Sequence, residues 1–200
     1  QNFHRPLAHS AAMRYTGKRN ECSAREVLFD MVQVDLITGF LGAGKTTFLR
    51  QYVRYLVAQG HNVCILENDF GAVNVDAMLL QDLEAQGVEL ETISGGCDCD
   101  THQRRMRTKL ISMAMRGFDR VVVEPSGIFD VDEFFDILRD DPLDRWYQLG
   151  SVIAVVDALL PETLSPQAEY LLASETMNAG CVLLSRAQLA APAQCAAAAA

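Results

Sequence analysis

The chain has 200 residues, 50% of them hydrophobic and 22% charged, with a formal net charge of −9. That length suits one domain with a sizeable core, and the acidic balance argues against nonspecific binding to nucleic acid or to an anionic membrane. No apolar run reaches the ~18 residues of a membrane span, and six cysteines without a regular framework fit a reducing, cytoplasmic setting better than a disulfide scaffold.

Residues 1–30 carry five Lys/Arg against three acids and little hydrophobic periodicity. They read as a disordered extension, with an Arg-bearing, acid-poor transit peptide as the alternative. From Val32 onward, short apolar runs alternate with amphipathic stretches. VQVDLIT (32–38) predicts a strand, and KTTFLRQYVRYLVAQG (45–60) a helix stopped by a glycine. NVCILEN (62–68) predicts a strand, VDAMLLQDLEAQ (75–86) a helix and VELETI (88–93) a strand. A helix follows over 101–117, closed by Gly117. DRVVVEPS (119–126) has the continuous apolar character of a strand covered on both faces. DVDEFFDILRD (130–140) predicts a helix, and GSVIAVVDA (150–158) and GCVLLS (180–185) two further strands. Such alternation predicts an α/β fold, a mostly parallel sheet with helices on both faces. The domain spans 31–190, and 191–200 form a low-complexity tail.

GFLGAGKTT (39–47) matches Gly-x-x-x-x-Gly-Lys-[Ser/Thr], with a strand before it and a helix after it. Gly39, Gly42, Ala43 and Gly44 let backbone N–H groups turn inward on phosphates, and the helix N-terminus adds its positive dipole end. Lys45 can reach β- and γ-phosphates, the Thr46 hydroxyl can hold Mg²⁺, and Thr47 beside them joins the nucleotide site. The alternative, a chance glycine-rich turn, does not explain the strand and helix on either side. Glu124 ends the apolar run VVVEPSG (121–127) and lies beside this loop if the two strands are neighbours. There it can reach the Mg²⁺ shell or orient water, and the Gly127 N–H can meet a γ-phosphate. A solvated acid at a strand end is the bland alternative. These features predict a P-loop NTPase fold.

SGGCDCDTH (94–102) places two thiols one residue apart, with carboxylates and a histidine close by. Thiolates favour Zn²⁺ or a similar transition metal, and a disulfide across so short a loop would be strained. Inert buried thiols at Cys97 and Cys99, and a surface histidine at 102, are the alternatives. The basic run Arg104, Arg105, Arg107, Lys109 reads as a solvated helix face.

Taken in order, GFLGAGKTT, ENDFG (67–71), VDAMLL (75–80), GGCDCD (95–100), EPSG (124–127) and VIAVVDA (152–158) resemble the CobW-type metallochaperone GTPases, relatives of the nickel-insertion GTPases serving hydrogenase and urease. The similarity covers roughly residues 32–190. It implies a GTPase that binds GTP and Mg²⁺ at Gly39, Gly42, Ala43, Gly44, Lys45, Thr46, Thr47 and Gly127. Lys45, Glu124 and Asp69 would act in turnover. A transition metal such as Zn²⁺ would sit at Cys97 and Cys99, with Glu67, Asp100 and His102 as further ligands. A client metalloprotein is the implied partner, with homodimerisation left open.

The sequence departs from the family pattern in four places. Asp100 stands where a third cysteine is expected. Ser185, Arg186, Ala187 and Gln188 replace the guanine-reading Asn-Lys-x-Asp, so Gln188 offers one acceptor without a charge, while Arg186 can stack on a base. Val131 replaces a proline, and no segment corresponds to the family's C-terminal domain. The altered base reader leaves a P-loop ATPase or kinase with relaxed base choice as one alternative, and a nucleotide- or metal-binding module without turnover as another.

Overall fold

The computed structural model describes residues 31–69, 82–94, 99–125, 131–161 and 163–198. Six parallel strands make one sheet: β1 Val32–Thr38, β2 Val63–Asp69, β3 Glu89–Ser94, β4 Arg120–Glu124, β5 Tyr147–Asp157 and β6 Cys181–Ser185, in the order β3-β2-β4-β1-β5-β6. The helices are α1 Lys45–Ala58, α2 Cys99–Met115, α3 Val131–Arg139, α4 Leu143–Trp146, α5 Pro166–Met177 and α6 Pro192–Ala198. The predicted α/β fold with its parallel sheet is the observed one.

The two-residue period of a strand sorts the core into two layers. Val32, Val34 and Leu36 of β1, with Cys64, Leu66, Val121 and Val123, face Met106, Leu110 and Met113 of α2 and Phe134 and Ile137 of α3. The intervening residues Ile37, Val63, Ile65 and Val122 pack on Leu49, Val53 and Leu56 of α1 and on Leu83. Both sheet faces are therefore covered, which is why these strands read as unbroken apolar runs.

Asp35 interrupts β1 and is fully buried. Its carboxylate accepts from Arg120 at 2.9 and 3.1 Å, from the Ser151 N–H at 2.6 Å and from the Tyr52 hydroxyl at 3.1 Å. The register between β1 and β5 slips at this point, between Val34 and Leu36. A Cβ on Gly150 would stand 2.2 Å from Asp35 Oδ1, so only glycine fits beside this carboxylate. Gly150 marks an irregularity inside β5 and not the strand's start, which lies at Tyr147. Tyr147 anchors the extra turn of strand by donating to the Leu110 carbonyl at 2.8 Å.

Helix α2 starts two residues earlier than predicted, at Cys99. The predicted helix 75–86 lies outside the described residues up to 81; residues 82–84 are helical. The basic run is only half solvated. Arg104 and Arg105 are exposed, whereas Arg107 pairs with Asp140 and Lys109 with Glu91 at 2.5 Å. Among the described residues, no helix is long and apolar enough to cross a membrane.

Candidate nucleotide site

Strand β1 lies between β4 and β5, so the loop 39–44 that follows it opens between the C-terminal ends of its two neighbours. Ligands collect at that edge in parallel sheets. Gly39 (φ 138°), Gly42 (φ 78°) and Gly44 (φ 95°) occupy backbone regions that side chains avoid. At Gly39 space is also lacking: a Cβ there would stand 2.2 Å from the Val155 carbonyl oxygen of β5. Ala43 is buried, and its N–H closes the loop on the Phe40 carbonyl at 3.1 Å. Helix α1 starts from the left-handed Gly44 with no side-chain cap and no acid in its first turn. Its N-terminal dipole end therefore meets the loop without a competing carboxylate of its own.

Lys45 opens α1, is nearly buried, and donates to the Gly39 and Phe40 carbonyls at 2.8 and 3.4 Å. Thr47, next along, is exposed. The Thr46 hydroxyl donates to Glu124 Oε1 at 2.9 Å. Glu124 reaches it because β4 pairs with β1, which is the adjacency the sequence reading required. Glu67, at the register position opposite Glu124 on β2, is buried beside it. The Thr46 hydroxyl and the Glu124 carboxylate thus meet at the C-terminal edge of the sheet, hard-oxygen donors suited to a small divalent cation.

Asp69 is the last residue of β2, opposite Ser94 of β3 in backbone register; its side chain lies outside the described residues, as do Gly127 and Cys97. Cys99 and Asp100 form the first turn of α2, again with side chains outside what is described. His102 in the next turn is buried and not at the surface. Burial, with the nearby Arg105 charge, pushes its pKa down, which favours the neutral, metal-ligating imidazole. Among the described residues no group of three His, Cys, Asp or Glu side chains is placed to hold a metal.

The segment expected to read the base, residues 185–188, starts at the last residue of β6. Ser185 lies against the phosphate loop, with its Cβ 3.8 Å from where a Gly44 Cβ would stand. Arg186 is left-handed (φ 54°). Its guanidinium is bonded to Asp157 at 2.5 Å and to the Gly42 carbonyl. It therefore ties the end of β5 to the loop, and stacking on a base would require releasing these bonds. Gln188 lies in the turn that follows.

Sequence reasoning missed one residue here. Glu175 on α5 is almost wholly buried, and burial pushes its carboxyl from 4.5 up to about 7, while the Lys45 ammonium and the Gly39 N–H pull it down. The start of its helix was legible, but the burial of its acid was not. Ser165 followed by Pro166 is a helix start, and the Ser165 hydroxyl oxygen does accept from the Ala168 N–H at 3.2 Å. Ala168, Leu172 and Glu175 then recur at the spacing of one helix face.

A parallel sheet whose first strand runs through a glycine loop into a lysine-led helix, with a neighbouring strand supplying an acid to the helix's first hydroxyl, defines a P-loop nucleotide-binding protein. The chain matches the family model of the CobW/HypB/UreG nucleotide-binding domain over residues 33–199. It belongs to that family, as the ordered motifs led one to expect. It is 34% identical over 138 residues to the zinc chaperone YjiA of Escherichia coli (strain K12), a match covering 64% of this chain and 41% of that protein. To the zinc chaperone YeiR of the same organism it is 32% identical over 131 residues, covering 65% and 39%. The chain thus spans about two fifths of the length of these relatives. Among solved structures, the Zn(II)-bound form of a YjiA GTPase triple mutant superposes with a TM-score of 0.52 at 23% identity, covering 82% of this chain and 52% of that one. This last likeness concerns the fold.

Proposed function

We propose that this chain is a GTP-binding and hydrolysing domain that couples Mg²⁺-GTP turnover to the binding of zinc, or a similar transition metal, and to its delivery to a client metalloprotein. The observation that carries the reading is the Thr46–Glu124 hydrogen bond beside Lys45. It joins the phosphate loop to an acid on the adjacent strand, the pairing that Mg²⁺-dependent phosphoryl chemistry uses. The names of the relatives, zinc chaperones, support the choice of cargo.

Each residue then has a task. Gly39, Gly42, Ala43, Gly44 and Thr47 shape and line the cradle, and Lys45 turns from the loop's own carbonyls to the β- and γ-phosphates. The Thr46 hydroxyl and the Glu124 carboxylate fit Mg²⁺, whose charge, when bound, offsets that of the phosphate oxygens. Glu124 and Asp69 orient the attacking water, and the Gly127 N–H meets the γ-phosphate. Cys97 and Cys99 hold zinc as thiolates, with Glu67, Asp100 and His102 completing the set. Glu67 stands beside Glu124 in the sheet, so metal on one carboxylate is felt by the other. Turnover would then release the segments that hold the metal.

A reducing cytoplasmic setting suits the thiolates. A second reading, a P-loop ATPase or kinase of relaxed base choice, is favoured by Gln188 and by the engaged Arg186. Phosphate release from GTP and from ATP, with and without zinc, tests both. The GTPase reading expects GTP turnover that responds to zinc and is lost in Lys45→Ala. Turnover of ATP at the rate of GTP would favour the second reading, and none in either nucleotide would refute both.

A further inference from the structure

Helix α5 presses one face onto the phosphate loop. Phe40, the loop residue after Gly39, shares a small apolar pocket with Leu160, Leu164, Ala168 and Leu172. Glu175 lies three residues beyond Leu172 on the same side of α5, and it is 1% exposed. Its two carboxylate oxygens are buried, and neither completes a hydrogen bond among the described residues. The Gly39 N–H and the Lys45 ammonium nevertheless lie near enough to favour its charged form. An acid in such a place costs stability when charged and lacks full partners. Nothing in the fold requires it, since α5 is already docked by its apolar residues.

We propose that Glu175 is a positioning residue of the nucleotide site: it neutralises Lys45 from the protein side, and it takes up one proton when a nucleoside triphosphate brings its phosphates to that lysine. The inference rests on the nucleotide reading of the site and deepens it. Phosphates at Lys45 set several negative charges beside the carboxylate, and like charges that close disfavour the ionised acid. Lys45, drawn to the phosphates, also ceases to hold the acid charged. The carboxylate binds a proton from solvent and becomes a neutral carboxyl; no bond of the nucleotide changes in this step.

Other charges near α5 do not replace this one. On α3, which packs on α5, Asp132 accepts from the Asn178 amide at 3.3 Å, and Glu133 lies next to it. Of the charged groups on the elements around Glu175, Lys45 is the one that acts on its ionisation. Because burial pushes the Glu175 carboxyl up to about 7, the proton uptake falls near neutral pH. By linkage, nucleotide affinity then falls as pH rises above about 7, at most tenfold per pH unit for one proton.

Calorimetry of GTP binding with Mg²⁺, in HEPES and in Tris at pH 7.5, counts the protons exchanged by wild type and by Glu175→Gln. The nucleotide's own titration is common to both and cancels in the difference. The proposal expects wild type to take up more protons than the variant, by up to one. It also expects the variant's affinity to change less between pH 6.5 and 8.5, and Glu175→Asp to restore part of the uptake. Equal proton counts and parallel pH profiles would overturn this inference and leave the nucleotide reading standing. Folded proteins that bind no GTP at any pH would overturn both. If the glutamine variant does not fold, infrared difference spectra of wild type decide: a protonated-carboxyl band must appear on GTP binding, and its absence overturns the proposal.

Discussion

Thr46 Oγ1 donates a 2.9 Å hydrogen bond to Glu124 Oε1, although the two residues are 78 positions apart in the chain. The bond exists because β4 inserts between β1 and β2 and brings its terminal acid to the start of α1. Glu124→Gln keeps an acceptor for the hydroxyl but removes the charge. It should leave nucleotide binding in place and weaken Mg²⁺ affinity in turnover by about 10–100-fold, the usual cost of losing a supporting carboxylate. Titrating Mg²⁺ into a GTP turnover assay measures this. An unchanged Mg²⁺ dependence would remove Glu124 from the site.

Gly39→Ala tests the loop itself. The new methyl would meet the Val155 carbonyl at 2.2 Å, in a backbone region that alanine rarely adopts. A strain of about 1–3 kcal/mol is expected, which for a chain of this size lowers Tm by about 2–4 °C per kcal/mol. Thermal unfolding with wild-type Tm and intact nucleotide binding would contradict the geometry.

Glu175 also makes stability depend on pH, with a definite sign. Its folded-state pKa, about 7, stands above the ordinary 4.5. The folded protein therefore holds the proton more tightly than the unfolded chain. That contribution is complete below about pH 4.5 and is lost as pH rises through 7. The difference corresponds to about 3 kcal/mol at most. Relative to wild type, Glu175→Gln should gain Tm progressively from pH 5 to pH 8 in the absence of nucleotide. Parallel Tm curves for the two proteins would show that the acid is not held in this environment.

In the proposed reading, base choice falls to the turn after β6. The paired change Gln188→Asp and Ser185→Asn supplies the missing charge at position 188 and should raise the preference for GTP over ATP by about tenfold, or 1.4 kcal/mol. Competition binding with the two nucleotides reads it. No gain in preference would mean that Gln188 does not meet the base.

The sequence made the sheet legible because its strands are apolar on both faces and its glycine loop has a fixed relation to the strand and helix around it. The neighbourhood of Thr46 and Glu124 followed from the same pattern. Asp35 was not legible, since its partners Arg120 and Ser151 come from strands distant in sequence that pair on either side of β1. Glu175 stayed hidden for another reason. Helix α5 has weak amphipathic contrast, and an acid on its inward face looks like a surface residue until the loop it touches is known. Arg186 looked available to a base, yet the fold ties it to Asp157 and Gly42. His102 looked like a surface residue as readily as a ligand, and the fold buries it.

The central claim is that a metal near Cys97 and Cys99 and a nucleotide at Lys45 are felt by each other. The most direct measurement is a zinc titration in the presence of GDP and of a non-hydrolysable GTP analogue, on wild type and on Cys97→Ser/Cys99→Ser. The account predicts thiolate-bound zinc whose affinity falls as pH drops and the cysteines protonate, differs between the two nucleotide states, and strengthens in Asp100→Cys. Nucleotide affinity must then shift with zinc by the same factor. Equal zinc affinity in the two nucleotide states, or in wild type and the double serine variant, would contradict it.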